Sequence, residues 1–177
     1  SHSSDANRVS LGDRAAINIQ GIQKQDIKRG YQITTPGYFQ TTSKIGVKIK
    51  TLYSLSKPIN QNQRIRIHLG TQEVMASIAL INNKTLESNS EGAALLRLES
   101  SIVAARKDKF IIRNYSPVTT MGGGEVLDVE MHGKWKDIKK NLESIYQSSA
   151  DSQRLQIIEN QFNSPMNYSQ LQIKLGL

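Results

Sequence analysis

Three consecutive glycines, Gly122-Gly123-Gly124, stand inside the stretch Asp108 to Asp128, DKFIIRNYSPVTTMGGGEVLD, and limit what the surrounding chain can become. The stretch reads as one strand from Lys109 to Arg113, a loop closed by Pro117, and a second strand entered through the glycines and continued by Glu125-Val126-Leu127. Residues without a Cβ permit positive φ and the close approach of another backbone, so the triplet marks a bulge or a barrel corner. A phosphate-binding loop would need a Lys-Ser/Thr pair opening a helix, and none follows.

The middle of the chain repeats a period of two. Lys44 to Thr51 alternates, with Ile45, Val47 and Ile49 on one face and Lys44, Lys48 and Lys50 on the other, Gly46 being the exception. Arg64 to Leu69 turns Ile65, Ile67 and Leu69 inward and Arg64, Arg66 and His68 outward. Val74 to Leu80, Gly92 to Leu98 and Ile102 to Val103 follow at short spacing. Short strands separated by Asn, Ser and Gly turns predict a closed barrel or a sandwich, with hairpin turns at Asn82-Asn83-Lys84 and Asn89 to Gly92.

The flanks differ. Arg14 to Gln20 alternates as a strand, with Ala15, Ile17 and Ile19 on one face, and Gly21 ends it. Lys24 to Arg29 reads as a polar turn or a single helical turn, Gly30 as a corner, and Tyr31 to Thr35 as a short strand stopped by Pro36-Gly37. Two strands cannot bury both faces alone, so either a homodimer through these orphan strands or poorly ordered early residues is expected. After Asp128, Trp135, Ile138, Leu142 and Ile145 recur at helical spacing with lysines opposite. A second helix begins at Ala150 or Asp151 with Leu155, Ile158 and Phe162 as its stripe, Asn163-Ser164-Pro165 breaks it, and a third runs from Met166 to Leu175.

Charge and missing residue types narrow the chemistry. Lys and Arg number 23 against 15 Asp and Glu, a net charge of +8, which suits a polyanionic partner or simply solubility. Cysteine is absent, which removes disulfides, thiolate metal sites and thiol nucleophiles. His2, His68 and His132 are isolated, and His68 reads as a barrel-wall residue. No carboxylate pair or Ser/His/Asp order supports catalysis, so no catalytic residue and no metal ligand is assigned, and a hydrolase is disfavoured. No run approaches the roughly 20 apolar residues of a membrane helix, and the first residues lack a signal-peptide core. The lysines between Lys134 and Lys140 read as a solvated helix face, and Trp135 and Phe162 as core anchors.

Taken in order, three motifs resemble one family. GDRAAINIQG followed by IKRGYQITTPG is similar to the end of the second domain of elongation factor Tu-like GTPases. RIRIHLGTQEV and then DKFIIRNYSPVTTMGGGEVLD resemble the third domain of the bacterial selenocysteine-specific elongation factor, and the helical tail resembles the start of its winged-helix extension. The resemblance covers about Leu11 to Asp128 and implies a mainly β internal fragment. Residues 1–36 would be the last strands of a second barrel, residues 37–130 a translation-factor β-barrel of the domain III type, and residues 131–177 the helical start of a winged-helix domain. The implied parent is a cytoplasmic GTPase that delivers selenocysteinyl-tRNA to the ribosome while C-terminal winged helices grip a messenger RNA hairpin. GTP and Mg would belong to a domain absent here, since no Gly-Xaa4-Gly-Lys-Ser/Thr occurs, so this fragment is expected to hold no cofactor and to have no turnover.

The same resemblance implies site residues. Arg14, next to the Gly-acid turn, would lie beside the aminoacyl end of the tRNA, where a cation favours an anionic selenolate over the serine hydroxyl by about 1.5 to 3 kcal/mol. Otherwise Arg14 is an exposed strand-start residue paired with Asp13 or Asp26. The turn Gly70-Thr71-Gln72 and the loop Tyr115 to Thr120 would face the tRNA T stem, with Arg113 and Arg106 reaching phosphates. Alternatively these are two barrel loops serving turn geometry, in a structural adaptor that touches RNA little.

Overall fold

The computed structural model describes residues 8–10, 12–129, 131–148, 152, 155, 158 and 167–175. Its centre is a closed antiparallel barrel of six strands in the order β1-β6-β4-β3-β7-β8, with a separate two-stranded β2-β5 pair. The strands are β1 (Thr41–Thr51), β2 (Ile59–Asn60), β3 (Arg64–Leu69), β4 (Gln72–Leu80), β5 (Thr85–Leu86), β6 (Glu91–Val103), β7 (Lys109–Asn114) and β8 (Thr120–Asp128). Alternation gives each strand one inward face: Ile45, Val47, Ile49, Ile65, Ile67, Ile78, Leu96, Ile112 and Val126 are buried in one core. Each such aliphatic side chain contributes on the order of 2 kcal/mol by leaving water. Gly92 to Leu98 and Ile102 to Val103 are parts of one strand: the β1 register shifts between Thr42 and Lys44, and Glu99, Ser100 and Ser101 stay exposed at the irregularity.

The glycine triplet lies inside β8, which begins two residues earlier at Thr120. Positive φ is not what it supplies, since none of the three adopts it. They serve close approach: a Cβ on Gly122 would lie 2.4 Å from the Lys50 carbonyl oxygen, and one on Gly124 would lie 1.9 Å from that of Lys48. The expected bulge is next door, where Ile112 pairs with Gly122 but Arg113 pairs with Thr120, leaving Met121 extra.

Gly46 also has a reason. It lets α1 (Trp135–Gln147) lie on the barrel wall, where a Cβ at position 46 would stand 2.8 Å from Leu142 Cδ1. Ile138, Leu142 and Ile145 form the buried stripe of α1, against Ala79, Ala93, Leu95 and Leu127 of the strands. Trp135 is not the buried anchor its spacing predicts: it is 38% exposed and its ring lies under the Arg97 guanidinium at 5.4 Å. Ser152, Leu155 and Ile158 are helical with Leu155 and Ile158 exposed, whereas Phe162 and the Asn163-Ser164-Pro165 break lie outside the described residues. The third helix is α2 (Tyr168–Leu175), and Leu175 is buried with the α1 stripe.

The strands expected at 14–20 and 31–35 are not formed. Between residues 12 and 40 the only regular element is the short 3-10 turn Lys24–Asp26, as the polar turn predicts, and Ile17 and Ile33 are 65% and 69% exposed. Alternation supplies a face but no partner, and a closed barrel offers no free edge to take ladder hydrogen bonds. The strand edges that a homodimer would pair are therefore missing as well. One fixed point joins this segment to the barrel: Gly30, at φ +99°, is buried against Gln72, whose Nε2 donates to the Gly30 carbonyl at 2.7 Å. Among the described residues no helix is long and apolar enough to cross a membrane.

Candidate nucleic-acid interface

The outward faces of β3 and β7 bring Arg64, Arg66 and Arg113 onto one wall of the barrel. Their register places Arg66 directly opposite Arg113, and His68 opposite Ile111. Like charges at directly opposed positions repel, so such a pair needs anions nearby. Arg66 has one, Glu73 on β4, whose carboxyl is held below its ordinary value first by the hydrogen bond from Arg66. His68 Nδ1 lies 3.8 Å from the same carboxylate. Arg113 has no carboxylate within ion-pair distance among the described residues. Its Nε is buried without an acceptor, as are Arg66 Nε and His68 Nε2.

Tyr115 sits at the end of this wall. Asn114 shapes its loop, donating from Nδ2 to the Ser116 and Pro117 carbonyls at 2.9 and 3.2 Å, while its backbone N–H donates to Thr119. The Tyr115 ring is half exposed and lies 4.7 Å from the Arg64 guanidinium. A bidentate ion pair with Glu99, at 2.6 and 2.8 Å, fixes Arg64 in turn and raises its pKa. Arg113, Tyr115 and Thr120 are thus gathered, with Thr120 exposed and directly opposite Arg113.

Gly70, Thr71 and Gln72 are not part of that group. They close the β3–β4 hairpin at the other end of β3, roughly 17 Å away along a six-residue strand. Gly70 and Thr71 are exposed there, and Gln72 is occupied with Gly30. Arg106 does not point to a surface phosphate: it is 5% exposed, and its Nη1 donates to the Leu175 carbonyl at 3.3 Å, which ties α2 to the β6–β7 loop. Arg14 is exposed and makes no ion pair among the described residues, while Asp13 instead accepts a hydrogen bond from the Ser10 backbone N–H. Arg64 and Arg66 were legible as outward residues in RIRIHL, but their relation to Tyr115 and Arg113 depends on register between strands some fifty residues apart. Among the described residues no group of three or more metal-ligating side chains occurs.

Comparison with known proteins agrees with this architecture. Residues 46–132 match the family model described as selenocysteine-specific elongation factor, beta-barrel domain. The selenocysteine-specific elongation factor of Desulfomicrobium baculatum is 23% identical over 127 residues, which is 72% of this chain and 20% of that protein. That of Haemophilus influenzae is 25% identical over 132 residues, 74% of this chain and 21% of that protein. The chain thus spans about a fifth of the length of these curated relatives. A crystal structure of a bacterial selenocysteine-specific elongation factor superposes with a TM-score of 0.66 at 19% identity, covering 87% of this chain and 24% of that one. Over residues 46–132 the barrel closed by β1 and β8 is therefore similar to the beta-barrel domain of the selenocysteine-specific elongation factors.

Proposed function

We propose that this chain is a middle portion of a cytoplasmic factor that brings selenocysteinyl-tRNA to the ribosome, and that its barrel holds the tRNA through backbone phosphates. The observation that carries this reading is the opposed pair Arg66 and Arg113, of which only Arg66 has a carboxylate partner, Glu73. A phosphate beside Arg113 supplies the missing counter-charge, and the Tyr115 and Thr120 hydroxyls can take neighbouring sugar and phosphate oxygens, as shape-based recognition of an A-form helix requires. Gly70 and Thr71, at the opposite end, would make a separate contact. GTP and Mg, the selenocysteine pocket completed around Arg14, and the grip on a messenger hairpin would involve further parts of the parent protein.

Affinity of the chain for a tRNA transcript, measured across salt concentrations, tests the phosphate contact. Arg113→Ala should lower the log–log salt slope by about 0.9, and a slope equal to that of the wild type would overturn it. In the intact factor, Arg14→Ala should weaken discrimination between selenocysteinyl- and seryl-tRNA, and undiminished discrimination would remove Arg14 from the pocket.

A second reading, a structural adaptor with little RNA contact, is favoured by two ties. Gln72 to Gly30 fastens the preceding segment to one end of the barrel, and Arg106 to Leu175 fastens α2 to that same end. If it holds, the chain binds tRNA with no measurable salt slope.

A further inference from the structure

A recess of about 500 Å³ opens on the outer wall of β1, β7 and β8, away from the Arg66–Arg113 pair, and its shape follows from Gly123. Gly123 pairs with Lys50 on one side and Ile111 on the other, so where an outward side chain would stand there is only backbone. One row along, Glu125 lies between Lys48 and Lys109 in the two ladders and is ion-paired to Lys109. Above it, Leu52, Tyr53 and Asn89 form the rim. Tyr53 is 85% exposed, with its ring free to take a planar partner.

We propose that this recess receives one unpaired nucleotide of a single-stranded RNA segment, its phosphate on Lys50 and Lys109 and its base against the Tyr53 ring. Three features fit that chemistry together. The volume is within the range of small-ligand sites. Three lysines line it against one carboxylate, Glu125. An exposed aromatic ring beside cations on a shallow groove is how single strands are held without sequence preference. The existing ion pairs do not block it: the Lys50 to Glu91 separation is 3.8 Å, and Lys50 and Lys109 side chains are 66% and 74% exposed, so a phosphate can replace a carboxylate at little cost. Lys48, held by Glu91 at 2.8 Å, stays with its present partner. The choice of RNA over other polyanions rests on the tRNA reading; the choice of an unpaired nucleotide rests on Tyr53 and the glycine floor.

The test is fluorescence anisotropy of the 177-residue chain with a labelled oligouridylate and with a blunt RNA duplex of the same length. Tyr53→Ala should weaken the single strand about tenfold and leave the duplex unchanged, and Tyr53→Phe, which keeps the ring, should bind like the wild type. Lys50→Ala should lower the single-strand salt slope by about 0.7. Wild-type binding of the single strand by Tyr53→Ala overturns the proposal, as does equal displacement by polyglutamate or by free uridine monophosphate. Duplex binding that depends on Arg113 with no effect of Tyr53→Ala would sink the recess alone, whereas no binding of either RNA would sink it together with the tRNA reading.

Discussion

Gly124→Ala should destabilise the barrel by about 3 kcal/mol. The added methyl would lie 1.9 Å from the Lys48 carbonyl oxygen, 3.0 Å from its carbon and 2.8 Å from Phe110 Cζ. The ring can turn aside, but the carbonyl belongs to β1, and relief requires moving that backbone by more than about 1 Å. Overpacking of this kind costs about 1 to 3 kcal/mol, and two ladder hydrogen bonds lost beside it cost about 1 kcal/mol each. The stiffer unfolded chain returns only about 0.4 to 1 kcal/mol. Thermal unfolding followed by circular dichroism should show a midpoint lower by roughly 12 to 24 °C, and the urea midpoint should fall with it. Gly92→Ala is the control, since its Cβ would stand 3.1 Å from Leu86 Cδ1, a side-chain methyl able to shift, and it should cost under about 1 kcal/mol. A Gly124→Ala protein within about 0.5 kcal/mol of the wild type would refute the reasoning. So would recovery on adding Phe110→Leu, because that would make the ring rather than the carbonyl the obstacle.

Acid should weaken the barrel through three glutamates. Glu73, Glu91 and Glu99 lie below their ordinary value of 4.5 because of hydrogen bonds from Arg66, Lys48 and Arg64, so their contribution is present above that pH and fades as pH falls through the lowered values. Changing all three to glutamine should flatten the acid limb of a stability-against-pH curve, and an unchanged limb would deny them the role. Arg106→Ala should cost about 1.5 kcal/mol and speed amide exchange across α2, as a charged donor to the Leu175 carbonyl is lost. Exchange unchanged over residues 168–175 would count against that tie. Gly30→Ala puts a methyl 2.5 Å from Gln72 Cγ at a positive φ, so proteolysis between residues 12 and 40 should accelerate while the barrel's unfolding midpoint holds. Equal cleavage rates would show that the Gly30 corner fastens nothing.

Most of the barrel is readable from alternation, because a strand with one buried face must repeat every two residues. RIRIHL gives β3 to the residue, and KIGVKIKT gives β1 except for its first three residues, Thr41 to Ser43. The same alternation misleads at RAAINIQ, where it describes a strand whose neighbours are not in the closed barrel. Gly46 breaks the period for a reason that no local pattern holds, the seating of Leu142 from a helix almost a hundred residues on. The candidate site residues were named from residue type, and sequence alone did not give their grouping. Arg113, Tyr115 and Thr120 do come together, but Gly70 to Gln72 lies across the barrel, since strand order and direction decide which loops share an end. Arg106 shows the limit most plainly: a lone arginine in a loop looks solvent-facing until the helix that covers it is placed.

Because six antiparallel strands are an even number, β8 runs against β1, and its last residue, Asp128, pairs with Gly46, five residues into β1. The barrel is therefore a loaded hinge pin more than a link in a tow-chain. Tension drawn between residue 41 and residue 128 acts on the near end of the β1–β8 seam and peels its bonds in turn, from Gly46–Asp128 toward Thr51–Gly122, rather than shearing them together. Pushing the flanks against the wall meets the full packed core instead. Drawing the flanks apart therefore loads the seam one pair at a time, and each pair lost begins to uncover Val47, Ile49 and Val126 of the same core.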